Sequence, residues 1–558
     1  MNTVEFPWRM RFIWLLLALA AGLVAWRLVD LNLTERGFLQ RQGDARMERT
    51  VPLAAHRGMI VDRHGKALAV SAPVLSLWAH PQELLAHSAE AEALASLLDM
   101  DLVKLNARLT RMSSKEFMYL RRHMNPDQAQ LVLNEKIKGV YGQREFHRYY
   151  PAGEVATHLV GFNNVDDHGQ EGMELAYDDW LRAQSGQKLV KKDRKGRTVE
   201  DLRILRAAQP GKDLQLSIDL RMQYVAYREL KAVVQSHKAK SAAAVILDVT
   251  TGEVLAMVNQ PSYNPNNRKN MVIDSLRNRA LTDVIEPGST VKPLTISAAL
   301  MSGQYNLDSE VDTSPGFIRI KGKSIRDHRN YGVLDITGII TKSSNVGVTK
   351  LAMSMPEQSV RDTFYSFGLG QDTGTGFPGE SVGVLPNYAK WHPINLATMS
   401  YGYGLAVTPM QLAASYSVLA SHGLKRPVSL LKLAEAPEAE RIMPAQQAQQ
   451  VVAMMETVTQ LGGTGTRAKV PSYRVAGKTG TVHKPGKSGG YEDDAYAAIF
   501  AGMAPASKPR LVCVVVIDQP QGEQYYGGEV AAPVFSRIMA ESLRLLNVAP
   551  DNLAPSKE

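Results

Sequence analysis

A single cysteine, Cys513, occurs in 558 residues, so no intramolecular disulfide can hold this chain together. It lies in a Val-rich stretch and reads as a buried structural thiol on a strand. Metal-ligand spacing is missing as well. The thirteen histidines show no His-Glu-x-x-His or similar pattern, and neither a metal nor a cofactor is expected. Gly486-Lys487-Ser488 looks like the end of a phosphate-binding loop, but the glycine required at position 481 is Thr481. The net charge of +9 is modest, and no basic stripe is interleaved with aromatic or glycine motifs, so nucleic acid is not an expected partner. Long hydrophobic runs are scarce too: only one, near the N-terminus, approaches the length of a membrane span.

What is present describes a globular protein: 44% hydrophobic and 21% charged residues in a chain long enough for several domains. Phe12 to Trp26 is the apolar run, with Arg9 and Arg11 before it and Arg27 after it. Extended to Val29, it gives a helix of about 27 Å, just enough to cross a bilayer. Trp8, Trp14 and Trp26 suit the interfacial zones, and the flanking charges put residues 1–11 in the cytoplasm. A cleaved signal peptide is the competing reading, but Ala18, Ala20 and Ala21 fall inside the run rather than after it. The expectation is an uncleaved single-pass anchor over residues 12–29, with the bulk of the chain outside the cytoplasm.

Residues 31–50 read as a polar helical stalk. His56 to Ala69 reads as a strand, a turn at His64-Gly65, and a second strand. Residues 81–136 are Leu/Ala-rich with helical spacing, Arg148 to Gly153 is a turn, and Gly169 to Leu175 begins a helix. Residues 187–206 are strongly basic, which reads as a solvated surface, with an anionic polymer or lipid contact as the alternative. Gln209-Pro210-Gly211-Lys212 marks a boundary, giving a region over 30–210 and a second over 211–548. The second opens with a helix from Leu220 to about Lys238 and a hairpin from Ala243 to Val258. It closes with strands at Ala495–Met503 and Leu511–Ile517 and an amphipathic helix through Leu546. Early and late strands with helices between predict an α+β fold, an antiparallel sheet flanked by helices. Residues 549–558 form a loose polar tail.

The chemistry concentrates at Glu286-Pro287-Gly288-Ser289-Thr290-Val291-Lys292. Pro287 and Gly288 turn the chain, and Ser289 falls where a helix begins. Three residues apart on one helix face, Ser289 and Lys292 can meet, and a neutral lysine can take a serine proton. A helix cap followed by a solvated lysine is the plainer alternative. Two more motifs follow in order: Ser343-Ser344-Asn345, then Lys478-Thr479-Gly480-Thr481 at the end of a strand Tyr473 to Ala476.

Together these three motifs resemble the active-site set of penicillin-binding transpeptidases and serine β-lactamases. The resemblance covers nearly the whole chain from residue 9. Arg57-Gly58-x-Ile60-x-Asp62-Arg63, the Arg148 to Gly153 turn and Gly169-x-x-Gly172-x-Glu174 are similar to the non-catalytic, dimerisation-like pedestal of class B penicillin-binding proteins. Gly463-Thr464-Gly465-Thr466 and Tyr526-Gly527-Gly528 resemble the same family, and Thr341 to Gly347 is closest to its cell-division type.

The resemblance implies a peptidoglycan D,D-transpeptidase that crosslinks septal stem peptides. Ser289 would be the nucleophile, Lys292 its base, Ser343 a proton relay, and Asn345 a holder of substrate and lysine. Lys478 and Thr479 would bind the substrate carboxylate, with Gly480 and Thr481 on the strand that pairs with the peptide. The Ser289 N–H and a strand N–H near Thr481 would form the oxyanion hole, and β-lactams would trap Ser289. Implied partners are D-Ala-D-Ala donor and amine acceptor peptides, β-lactams, the bacterial inner membrane, a multi-spanning glycosyltransferase of the FtsW type and other division proteins. The catalytic domain would lie in the periplasm. The alternatives are an elongation-type transpeptidase, a β-lactam-hydrolysing or β-lactam-sensing relative, and a non-catalytic division scaffold.

Overall fold

The structure, a computed structural model, describes residues 7–192, 198–269, 271–486 and 490–552. Residues 1–6 of the expected cytoplasmic segment, Arg194, Lys195 and Arg197 of the basic stretch, Lys487 and Ser488, and residues 553–558 of the tail lie outside the described residues. The chain forms two compact units that interleave in sequence. One comprises residues 1–56, 75–146 and 183–211; the other comprises 57–74, 147–182 and 212–558.

In the first unit the apolar run lies within α1 (Pro7–Val29), longer than the expected anchor because Pro7 suits a first helical turn and no breaker follows. Residues 7–33 are long and apolar enough to cross a membrane, and none of that helix is buried in the protein. Arg27 at its end is ion-paired with Asp30 and, at 3.1 Å, with Glu35. The stalk is helical over Arg36–Met47 and then becomes a strand, Glu48–Leu53. Residues 81–136 are helical over Pro81–Leu85, Ser88–Leu97, Leu102–Arg111 and Pro126–Asn134. Met118–Met124 is a strand instead. Its buried Met118, Leu120 and Met124 have a strand's alternation, masked in the sequence by Arg121, Arg122 and His123. The basic stretch forms two paired strands, Gly186–Lys192 and Thr198–Arg206, the second exposed throughout.

The second unit is built on a five-stranded sheet. In chain order its elements are α2 (Leu220–Ser236), β1 (Ser241–Asp248), β2 (Val254–Gln260), α3 (Lys292–Met301), α4 (Ile336–Lys342), α5 (Asn345–Ser354) and α6 (Pro409–Ala420), then β3 (Ala476–Pro485), β4 (Tyr491–Ala504), β5 (Leu511–Asp518) and α7 (Gly527–Leu545). The strand order is β2-β1-β5-β4-β3, all antiparallel. β1 is buried at every position because both faces of the sheet are covered. Ala243, Val245 and Leu247 face a core that holds α3 and α6, while Ala242, Ala244 and Ile246 face one that holds α2 and α7. Cys513 is buried on β5, where burial pushes its thiol pKa up.

The signatures of the sequence before residue 180 converge in this unit. Arg57 Nε and Arg148 Nε each donate to the Glu174 carboxylate at 2.7 Å, all three side chains buried. Arg57 Nη1 also donates to Asp178 Oδ1 at 2.6 Å. Gly169 lets the backbone close up, since a Cβ there would lie 2.0 Å from Glu174 O. Asp62 Oδ1 accepts from the N–H groups of His64 and Lys66, fixing the expected turn between Ile60–Val61 and the strand that starts at Ala67.

Candidate active site

Ser289 sits on a turn that its neighbours dictate. Gly288 has φ of +53°, and a Cβ there would come within 2.5 Å of Val482 Cγ2 on β3, so only glycine permits this close approach. Gly288–Val291 is one turn of 3₁₀ helix, and α3 proper begins at Lys292. Ser289 therefore lies one turn ahead of the helix and does not cap it, because the tight Pro287-Gly288 entry leaves room for the shorter-pitched turn first. Thr290 Oγ1 donates to Pro287 O, and the buried Tyr416 hydroxyl donates to Thr290 O, both at 2.7 Å. Among the described residues the Ser289 hydroxyl has no hydrogen-bond partner, and the side chain is half-buried.

Lys292 is wholly buried. Its Nζ donates to Ser343 O at 2.5 Å and Asn345 Oδ1 at 2.7 Å, with Ser343 Oγ at 3.2 Å. Lys478, also wholly buried, donates to Ser343 Oγ at 2.9 Å and to Thr479 O at 3.3 Å. Ser343 thus stands between two lysines. Burial lowers the Lys292 pKa well below the ordinary lysine value, Lys478 lowers it further, and Asp327 partly opposes them. Burial brings Lys478 down to about 7.

The Ser343-Ser344-Asn345 motif is the junction of two helices. Ser343 ends α4 with φ of +58°, Ser344 caps α5 by accepting from Gly347 N at 2.9 Å, and Asn345 is the first residue of α5. Asp327 holds the junction: it accepts from Ser344 Oγ at 2.6 Å, Asn345 N at 2.5 Å and Val346 N at 3.0 Å. Asn345 Nδ2 donates to Arg326 O at 3.0 Å. Sequence reasoning missed Asp327, which no local motif marks.

Lys478, Thr479, Gly480 and Thr481 lie inside β3, which starts at Ala476, rather than after a strand ending there. Residues 473–475 are an approach loop: Tyr473 N bonds Val470 O in a turn, which ends the pairing the apolar residues suggested. β3 is the edge of the sheet, so one side of its backbone is open to an added strand. Thr479 Oγ1 is 2.8 Å from Thr464 Oγ1, and Gly527 N donates to Thr481 Oγ1 at 2.9 Å, so the two late signatures also meet on this strand. Past Thr481 a row of rings from three separate segments flanks it, His483 on Tyr496 at 4.5 Å, Tyr496 on Tyr525 at 4.2 Å and Tyr525 on Tyr526 at 4.5 Å. Sequence reasoning missed this row as well, because no single segment carries it. Among the described residues no three His, Cys, Asp or Glu side chains gather as a metal site.

This arrangement is that of a penicillin-binding transpeptidase fold. Residues 242–540 match the penicillin binding protein transpeptidase domain, and residues 52–216 match the penicillin-binding protein dimerisation domain. The chain is 46% identical to the peptidoglycan D,D-transpeptidase FtsI of Escherichia coli K12, covering 97% of this chain and 91% of that one. It is 41% identical to the probable peptidoglycan D,D-transpeptidase PenA of Neisseria meningitidis, over 97% and 93%. The apo transpeptidase domain of Burkholderia pseudomallei penicillin-binding protein 3 aligns with a TM-score of 0.56 at 42% identity, covering 60% of this chain and 97% of that one. A peptidoglycan synthetase from Bifidobacterium adolescentis aligns with a TM-score of 0.71 at 25% identity, over 92% and 98%. The chain belongs to the class B penicillin-binding proteins of the FtsI type.

Proposed function

We propose that this chain is a serine peptidoglycan D,D-transpeptidase. Ser289 Oγ attacks the carbonyl between the two terminal D-alanines of a stem peptide. The C–N bond breaks, D-alanine leaves with a proton, and an ester joins the peptide to Ser289. The amine of a second stem peptide then takes the acyl group and frees the serine.

One observation carries this reading: the hydrogen bonds of Lys292. A neutral amine has two N–H donors and a lone pair. Ser343 O and Asn345 Oδ1, the two nearer acceptors, take both N–H groups of a neutral Lys292, so its lone pair is left to meet a hydroxyl proton: Ser343 Oγ lies at 3.2 Å in this structure, and Ser289 is the proton's source in the reaction. A positioned base of this kind contributes about 10²–10⁴-fold in rate. Ser343 Oγ, between the two lysines, relays a proton to the departing amine. Lys478 and Thr479 receive the substrate carboxylate, while Gly480 and Thr481 pair with the peptide along the open edge of β3. The Ser289 N–H and an N–H near Thr481 stabilise the oxyanion. A hydrolase is less well supported. Asp327 is occupied on both oxygens, which argues against it as a deacylating base. The test is a fluorescent penicillin: the full chain should be labelled once and turn over slowly, and Ser289→Ala should not be labelled. Labelling of the alanine variant would refute the nucleophile, and rapid release of drug would favour a hydrolase.

The same reading places residues 12–29 in the inner membrane, N-terminus inside, with residues 30–210 as stalk and pedestal and 211–548 as the periplasmic catalytic domain. It assigns the work to the division septum, beside a multi-spanning glycosyltransferase of the FtsW type that makes the glycan. Depletion should give filamentous cells, and rounded cells would move the role to elongation. Exchange of the anchor for an unrelated membrane helix should abolish septal activity, and persistence of that activity would remove the glycosyltransferase contact from the account.

A further inference from the structure

Beside Asn345 the rim of the site carries cations with no anionic partner. A hairpin pairs Phe317–Ile320 with Lys323–Arg326, Phe317 opposite Arg326 and Arg319 opposite Ser324. Ile320 and Ile325 are buried, and Ile318 packs with them against Ala397. By strand alternation the other face is left with Phe317, Arg319, Ser324 and Arg326, all exposed. Both guanidinium carbons lie over one ring, Arg319 Cζ at 5.9 Å and Arg326 Cζ at 5.8 Å from the Phe317 centroid. A ring face attracts cations, so Phe317 holds two like charges near each other that would otherwise separate. Lys321 and Lys323 are exposed at the turn of the same hairpin.

Among the described residues none of these four cations forms an ion pair. Elsewhere in the unit arginines commonly do: Arg221 with Asp219, Arg279 with Asp283, Arg474 with Glu456 and Arg537 with Glu229. Asp327, the neighbouring carboxylate, is spent on the Ser344-Asn345-Val346 backbone and the Ser344 hydroxyl. The pair is also tied to the catalytic motif, because Arg326 O accepts from the Asn345 side chain whose Oδ1 holds Lys292.

We infer that Arg319 and Arg326, spread on Phe317, bind a carboxylate on the arm of the peptide substrate, separate from the terminal carboxylate assigned to Lys478. A guanidinium fork matches a carboxylate in two parallel hydrogen bonds, and an uncompensated positive rim raises the local concentration of an acidic peptide. The inference rests on the transpeptidase reading and narrows its substrate to peptides acidic along the arm.

Two synthetic thioester donors test it, alike at the D-alanine-like reacting end and differing only in a free carboxylate or a carboxamide on the arm. Acylation of Ser289 in the detergent-solubilised full chain is followed by intact-mass spectrometry. At low ionic strength the carboxylate donor should react about tenfold faster, and the ratio should fall towards one at about 0.5 M salt. In the exposed double variant Arg319→Glu/Arg326→Glu the ratio should drop to one or below, and in Arg319→Lys/Arg326→Lys it should be intermediate. Equal rates for the two donors in the natural protein, or a ratio that survives charge reversal, would overturn the assignment without touching Ser289. Acylation by neither donor would instead remove the transpeptidase reading, and this inference with it.

Discussion

Asp327 offers no catalytic atom, yet three donors converge on its carboxylate, and through them it fixes where Ser343 and Asn345 stand. An asparagine would keep one acceptor oxygen and turn an N–H₂ toward groups that are themselves donors. Asp327→Asn should therefore cost about 1–3 kcal/mol of stability and slow acylation. It should also move the acid limb of the acylation profile to lower pH, because the carboxylate favours the charged form of Lys292 and its loss lowers that pKa further. An unchanged pH profile with reduced stability would leave Asp327 a purely structural role. The difference between Asp327 and Ser289 explains what was legible at this scale. Ser289 and Lys292 lie within one turn of each other, so their spacing shows in the sequence. Asp327 acts across a hairpin end onto a helix N-terminus, a contact made by tertiary folding alone.

At the scale of elements, the sequence periodicity read well where one pattern dominated. α2, β1, β2, β4, β5 and α7 form close to their expected positions because their apolar residues alternate or recur without interruption. It failed at Met118–Met124, where three consecutive basic residues hide the alternation, and at β3, where the glycine and threonines of Lys478-Thr479-Gly480-Thr481 have little apolar signal. There it is the partner strand β4 that makes the strand, pairing residue by residue from Ala476 opposite Met503. The early signatures read as a hairpin, a turn and a helix start, but their charged residues fold into one buried cluster around Glu174. Glu174→Ala would leave Arg57 and Arg148 buried without their shared partner, at a cost of about 3–5 kcal/mol. Chemical denaturation of the detergent-solubilised protein should show that loss, and a change below about 1 kcal/mol would mean the arginines reach water in the native state.

At the scale of the whole molecule, residues 57–74 and 147–182 belong to the same compact unit as the catalytic motifs, so the order of signatures along the chain is not the order of bodies in space. Interleaving of this kind is invisible to linkers and composition, because no boundary residue announces that a segment returns. The account as a whole turns on one claim, that the fold buries Lys292 so that it is a neutral base beside Ser289. An ordinary lysine is protonated until about pH 10.4, whereas burial and Lys478 lower this one. Because the folded-state pKa is depressed, protonating Lys292 at low pH opposes both activity and folding; activity recovers as pH rises through that pKa, and stability climbs from there until the ordinary lysine value of about 10.4 is passed. The most direct measurement is the rate of Ser289 acylation by penicillin across pH, for the natural protein and for Lys292→Arg, whose guanidinium cannot give up its proton. The account predicts a rate that rises with pH and levels off well below pH 10, and no acylation of the arginine variant at any pH. A rate that climbs with an ordinary lysine titration, or an active arginine variant, would contradict it.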